Sequence, residues 1–254
     1  IQNSGFLEEV KKAWYLSLGE DKPEDAYASF YSKETEVVKP GYYSVKLEDY
    51  NIKVELTATE RVGMHRYTFP ESDKARVIID LSEGNSDVSV DTYIRQINDS
   101  IFEGYRFSKG WAADQREYFT LILSKPITNF AVYNGNDKID GNEVKGQFAK
   151  GFLEFKTIKD EVIQVKMGIS PVSSKNAMAN IEAEIPHWDF DKVVASADTK
   201  WNEQLSKIVI ETEDISKKRI FYTAMYHTMI APNLYSDVNG EYRGTDKKVY
   251  PDPG

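Results

Sequence analysis

The sequence contains no cysteine, which excludes disulfides, thiolate nucleophiles and cysteine-held metals and leaves the cellular compartment open. Histidine is nearly as scarce. His65, His187 and His227 are the only three, and none has another histidine four residues on, so no HExxH zinc motif exists. Taken by composition, each reads as structural. No apolar run approaches the roughly 20 residues of a membrane helix, so no membrane span is expected. Positive charge is in deficit, with 32 Lys and Arg against 41 Asp and Glu and a net charge of −9. That balance opposes a phosphate backbone, so nucleic acid is not an expected partner. Phosphate-cradling GxxxxGK[ST] and GxGxxG loops are missing too. Gly168-Ile169-Ser170-Pro171 fails the serine-nucleophile elbow at the second position after Ser170.

What is present is ordinary globular material: 254 residues, 41 % hydrophobic and 29 % charged, enough to bury a substantial core. The sequence opens at Ile1 without an initiator Met or signal peptide and stops at Pro251-Asp252-Pro253-Gly254. It is expected to be a segment of something longer.

From Tyr42 to about Ile169, runs of five to eight residues rich in Val, Ile, Phe, Tyr and Thr alternate with polar or Gly-containing breaks, the pattern of successive strands. Tyr43, Val45 and Leu47, then Ile52, Val54 and Leu56, predict a hairpin with one buried face. Further strands are expected at 64–69, 76–81, 88–94, 101–107, 118–123, 130–133, 148–155 and 162–169. Short strands without intervening helices make an antiparallel sandwich rather than a parallel sheet. Asn134-Gly135-Asn136-Asp137 and Asp140-Gly141-Asn142 suit a long hairpin loop.

After Pro186 the period changes. Phe190, Val193, Val194, Ala197, Trp201, Leu205 and Ile208 form one helical stripe, with Asp189 as N-cap and Asp191 in the first turn. A second helix follows Asp214, with Ile220, Phe221, Ala224, Met225, Thr228 and Met229 on one face, and Pro232 ends it. Lys217, Lys218 and Arg219 near its start are expected to be solvated or paired. Beyond Pro232 the chain reads as polar and irregular. A weaker helix is expected at 5–18. The fold class is therefore mainly β: an antiparallel sandwich over residues 1–185, a helical linker over 186–211, and the start of a second, truncated domain over 212–254.

Chemistry is sparse. Setting Asn136 at the first position of a calcium loop puts Lys138 at a ligand position and Gln147 in place of the bidentate Glu, and the 237–240 segment fails likewise. Glu182/Glu184 and Asp189/Asp191 are the paired carboxylates that glycoside hydrolysis would need. The first pair suits a strand face and the second a helix start. Asn98-Asp99-Ser100 is a glycosylation sequon of little weight. Trp111, in the small-residue loop Ser108-Lys109-Gly110-Trp111-Ala112-Ala113-Asp114-Gln115, is free either to pack against a sugar or to cover the sandwich edge.

Ordered blocks from residue 39 to residue 246 carry a resemblance. Lys39-Pro40-Gly41-Tyr42-Tyr43-Ser44-Val45 and the run from Glu55 to Pro70 through Arg61-Val62-Gly63-Met64-His65-Arg66-Tyr67 come first. Gly110-Trp111-Ala112 with Gln115, Tyr118 and Phe119, then Lys166 to Ser170, Trp188 to Asp191, Phe221 to His227 and Asp237 to Gly244 continue it. Together they resemble the glycoside hydrolase family 92 α-mannosidases. The resemblance implies a bacterial, calcium-dependent, inverting exo-α-mannosidase of α-1,2 type acting on mannose-containing glycans. It further implies a periplasmic, cell-surface or secreted location, and a sandwich (supersandwich), helical linker and (α/α)6 barrel with the site at their junction. Most of the barrel, with its acid and base carboxylates and Ca2+ ligands, would lie beyond Gly254, so no catalytic or metal residue is assigned. The segment alone is expected to be inactive. His65, Trp111 and Gln115 are implied as substrate-binding residues on the rim facing the barrel. A non-catalytic carbohydrate-binding sandwich and a structural adhesion module are the alternatives.

Overall fold

The computed structural model describes residues 29–251 except 83, 85 and 232. The helix expected at 5–18 lies outside the described residues. A nine-stranded sheet is ordered β1-β2-β3-β4-β13-β8-β7-β6-β11 and a four-stranded sheet β10-β9-β12-β5. In chain order the strands are β1 Val37–Lys39, β2 Tyr42–Leu47, β3 Ile52–Ala58, β4 Val62–Phe69 and β5 Ser72–Asp80. They continue with β6 Val88–Asn98, β7 Ile101–Lys109, β8 Gln115–Leu123, β9 Asn129–Asn134 and β10 Asp137–Ile139. β11 Glu143–Gly146, β12 Ala149–Thr157 and β13 Glu161–Ser170 complete the sandwich. Every pairing in both sheets is antiparallel, as expected of strands joined without crossover helices.

The core between the sheets follows from the two-residue period. Ile163 and Val165 of β13, Phe119, Leu121 and Leu123 of β8, and Leu153 and Phe155 of β12 are buried together with Phe102 and Ile94. Burying each such side chain contributes about 1.5–3 kcal/mol. The opposite face of the large sheet carries α1 (Ser174–Glu184) and α2 (Phe190–Leu205). There Val62 and Met64 of β4 pack against Ile181, Ile185, Phe190 and Val193. Two glycines permit this close approach. A Cβ on Gly168 would lie 2.2 Å from the Ala177 carbonyl oxygen, and Gly41, at φ +77°, would meet the Ala197 Cβ at 2.7 Å.

Several expectations change. The β2–β3 hairpin is buried on both faces, because α2 covers the second. Ser44, Glu55 and Thr57 are therefore buried alongside Val45 and Val54. Glu182 and Glu184 lie on α1, not on a strand. The helix escapes a periodicity reading because its buried stripe is Asn176, Ala177, Asn180 and Ile181, half of it amide. The 134–142 stretch is no long hairpin loop but a two-residue turn from β9 into β10, after which β11 joins the other sheet beside β6.

The two expected helices are present but shorter: the first ends at Leu205, leaving Ile208 outside it and 52 % exposed, and the second ends at Thr228, before Met229 and Pro232. Asp189 caps α2, its side chain accepting from the Lys192 amide. Asp214 caps α3 (Ile215–Thr228), accepting from the Ser216 and Lys217 amides. Lys217 is exposed and 3.6 Å from Asp214. No residue of α3 is buried. The chain beyond it is not irregular: β14 (Glu241–Arg243) pairs with β15 (Val249–Pro251) in a separate hairpin.

Candidate functional site

At one end of the large sheet, the start of β4, the start of β8 and the end of β13 meet the segment that follows α3. Between them is a cleft of about 380 Å³. Glu60, Arg61, Glu117, Ser170, Tyr235 and Asp237 are among its lining residues. The wall from α3 onward is held by two buried polar clusters.

In the first, the Arg61 side chain donates from Nη1 to Glu184 Oε1 at 2.6 Å and from Nε to the Ser236 carbonyl at 2.6 Å. Glu184 Oε2 also accepts from the Arg61 amide at 3.0 Å and from the Thr59 hydroxyl. In the second, Asp237, 2 % exposed, accepts at Oδ2 from Ser170 Oγ at 2.7 Å and Asn176 Nδ2 at 2.8 Å. Its Oδ1 accepts from Asn180 Nδ2 at 2.8 Å. Three neutral donors satisfy this carboxylate without a cation, as a buried polar group requires. Ser170 thus serves a structural bond rather than nucleophilic chemistry.

Glu117 differs from both. Burial pushes its carboxyl above the usual range, a hydrogen bond from Gln115 opposes the rise, and the Asp237 charge adds to it. A carboxyl in this setting can accept from a ligand hydroxyl or, when protonated, donate to one.

Gln115 and Glu117 alternate along β8, so both point to one face of the strand. Gln115 is exposed. Trp111 lies in the loop leading into β8 and is fully exposed, so it does not cover the sandwich edge. That loop is tied to the β14–β15 hairpin by Lys247, whose Nζ is 2.9 Å from Asp114. The sheet end therefore gathers Trp111, Gln115 and Glu117. His65 stands apart. It lies mid-strand in β4, about 13 Å along from Arg61 at strand spacing. It faces the same way as Tyr67 and Phe69, which join the inter-sheet core. Its Nδ1 is 2.7 Å from the Tyr67 hydroxyl, and burial lowers its pKa.

Of the carboxylate pairs singled out in the sequence, Glu182 is exposed on α1 and the other three have structural partners. Glu184 is paired with Arg61, Asp189 caps α2, and Asp191 lies 3.0 Å from Arg66. Among the described residues no group of three or more His, Asp or Glu is arranged to hold a metal ion, and the oxygens of Asp237 are already engaged. These residues do not make a calcium site. Nor, among the described residues, is any helix long and apolar enough to cross a membrane. Glu117 and Asp237 were not singled out as a pair by sequence, since they are 120 positions apart and neither sits in a spaced motif. The sequence marks Asp237 only through the Asp237 to Gly244 block and the failed calcium-loop reading of 237–240.

Residues 15–170 match the glycosyl hydrolase family 92 N-terminal domain and residues 176–253 the glycosyl hydrolase family 92 catalytic domain. A family 92 α-mannosidase from Bacteroides thetaiotaomicron is 32 % identical, with a TM-score of 0.86 over 92 % of this chain and 32 % of that one. The same α-mannosidase has also been solved with mannoimidazole bound. A family 92 inverting mannosidase from B. thetaiotaomicron VPI-5482 is 22 % identical, with a TM-score of 0.78 over 87 % of this chain and 30 % of that one, and shares the fold. An uncharacterized secreted glycosidase of Arthroderma benhamiae is 25 % identical over 84 % of this chain and 30 % of its own length. The chain spans about a third of the length of these relatives, and by the match over residues 15–170 it belongs to glycosyl hydrolase family 92.

Proposed function

We propose that the chain is the N-terminal portion of an exported bacterial, calcium-dependent, inverting exo-α-mannosidase that removes terminal α-1,2-linked mannose from glycans. Its role is to supply the sandwich wall of a site completed by the remainder of the catalytic domain. The observation that carries the reading is the 32 % identity with an α-mannosidase across 92 % of the chain. The cleft at the sheet end supports it, because it opens where the sandwich meets the segment matching the catalytic domain.

On this reading Trp111 offers an aromatic face to the C–H face of a sugar, and Gln115 and Glu117 offer hydrogen-bonding partners to its hydroxyls. His65, on the same sheet face but mid-strand and bonded to Tyr67, would support the rim from a distance along the strand. Inversion needs an acid and a base about 6.5–9.5 Å apart with water between them. Glu184, Asp189 and Asp191 are engaged in structural contacts, which breaks up both carboxylate pairs, so the acid and the base would come from the rest of the catalytic domain. Calcium, when bound, would polarise sugar oxygens. Its ligands would also come from outside the described residues.

The reading is tested by joining the chain to the remainder of a family 92 catalytic domain and following α-1,2-mannobiose hydrolysis by proton NMR. Release of β-mannose first, abolished by chelation and restored by Ca2+, is expected. Release of α-mannose, or no hydrolysis by a folded protein, overturns it. A free-standing carbohydrate-binding sandwich is the second reading, favoured by the full exposure of Trp111.

A further inference from the structure

We propose that residues 233–251 are a structural part of the N-terminal domain, although they fall within the match to the catalytic domain. They form a clasp that carries one wall of the cleft, with Asp237 as its positioning residue. Helix α3 is carried outside this unit. The inference rests on contacts within this chain and is independent of the substrate.

The surface that receives the clasp is built for a carboxylate. Ser170, Asn176 and Asn180 are 1 %, 8 % and 0 % exposed, and the side-chain donors of all three converge on Asp237. Asn180 is engaged twice, since its Oδ1 accepts from the Val238 amide at 3.0 Å. Asn176 also donates to Glu241 at 2.8 Å. Without the clasp the Ser170 hydroxyl and the Asn176 amide would lose the acceptors they donate to, and Asn180 would keep only its bond to the Ile169 carbonyl, inside a packed helix–sheet interface, the costly case for buried polar groups.

The rest of the segment is fastened in the same direction. Arg61 Nε holds the Ser236 carbonyl at 2.6 Å. Arg243 donates to the carbonyls of Pro171 at 2.8 Å and Val172 at 3.2 Å. Its guanidinium also lies 5.9 Å from the centre of the Tyr118 ring. By contrast α3, which precedes the clasp, has no buried residue. It meets the remainder of the chain through Trp201 with Tyr226, ring centres 4.7 Å apart, and through the Tyr222 hydroxyl on the Ile208 carbonyl at 3.2 Å. The folding unit therefore skips a helix and resumes after it. A sandwich ended at residue 185 or 211 would lack a piece of its own fold.

Two rearrangements of the 254-residue chain separate this from a boundary before α3. In one, residues 215–228 are replaced by a Gly/Ser linker of equal length; in the other, the chain stops at residue 211. Thermal unfolding is expected to shift by no more than about 2 °C in the first and to fall by roughly 10 °C or more in the second. Equal stability of both, or loss of folding in the linker variant, overturns the proposal. Asp237→Ala supplies a readout that general destabilisation would not give. Hydrogen exchange is expected to show loss of protection at the Asp237, Val238 and Gly240 amides while the β8 and β13 amides stay protected. A uniform loss across the sandwich, or no loss at Val238, contradicts the positioning role.

Discussion

Glu184 holds Arg61 twice, accepting from its guanidinium at 2.6 Å through Oε1 and from its main-chain amide at 3.0 Å through Oε2. The two side chains are only 18 % and 11 % exposed, so the pair is largely shielded from water. Arg61→Ala leaves a shielded carboxylate and is expected to cost about 3–5 kcal/mol in urea unfolding. Adding Glu184→Gln should recover part of the loss. A single-variant cost below about 1 kcal/mol would show the pair to be screened like a surface bridge.

Glu55 predicts an acid-sensitive contribution. Burial would raise its carboxyl, but hydrogen bonds from Arg66, Tyr42 and Lys53 outweigh it and hold the group down to about 2, from an ordinary 4.5. A folded pKa below the unfolded one gives stability that is complete above about pH 4.5 and disappears as pH falls toward 2. The contribution is about 3 kcal/mol. Urea unfolding of the parent and Glu55→Gln should differ most at neutral pH and converge near pH 2. A difference independent of pH contradicts the assignment.

The sandwich was legible because its strands alternate apolar residues at period two, and α2 because Phe190, Val193 and Ala197 recur at helical spacing behind a capping Asp189. What escaped was polar burial. Asn176 and Asn180 carry no apolar signal, and their burial depends on Asp237, 61 and 57 residues away. The same holds for Ser44, Glu55 and Thr57, whose burial depends on a helix laid over the sheet. Of the candidate site residues, Trp111 and Gln115 fall at the cleft end. His65 shares the inter-sheet face of the large sheet with Gln115 and Glu117, whose parity is that of Phe119, Leu121 and Leu123, but it lies mid-strand, bonded to Tyr67 and away from the cleft end.

Gly168 marks where α1 rests on β13. A Cβ there would meet the Ala177 carbonyl at 2.2 Å and Ile181 Cγ1 at 2.7 Å, so the helix must lift. Gly168→Ala is expected to destabilise by about 1–3 kcal/mol in urea unfolding. Unchanged stability would mean that the helix is not in contact.

Trp111 offers a test in which stability and function separate. Its side chain is fully exposed, so Trp111→Ala should change unfolding free energy by less than about 0.5 kcal/mol. In the enzyme completed with its catalytic domain, the same change should raise KM for a mannoside. An unaltered KM would remove Trp111 from the substrate-binding set.

The central claim is that this chain contributes a wall to a mannosidase site without carrying the catalytic carboxylates. Its most direct test is an α-1,2-mannobiose hydrolysis assay on the folded 254-residue chain with Ca2+ supplied. No turnover above the uncatalysed rate is predicted. Measurable turnover that disappears with a point substitution such as Glu117→Gln would contradict it.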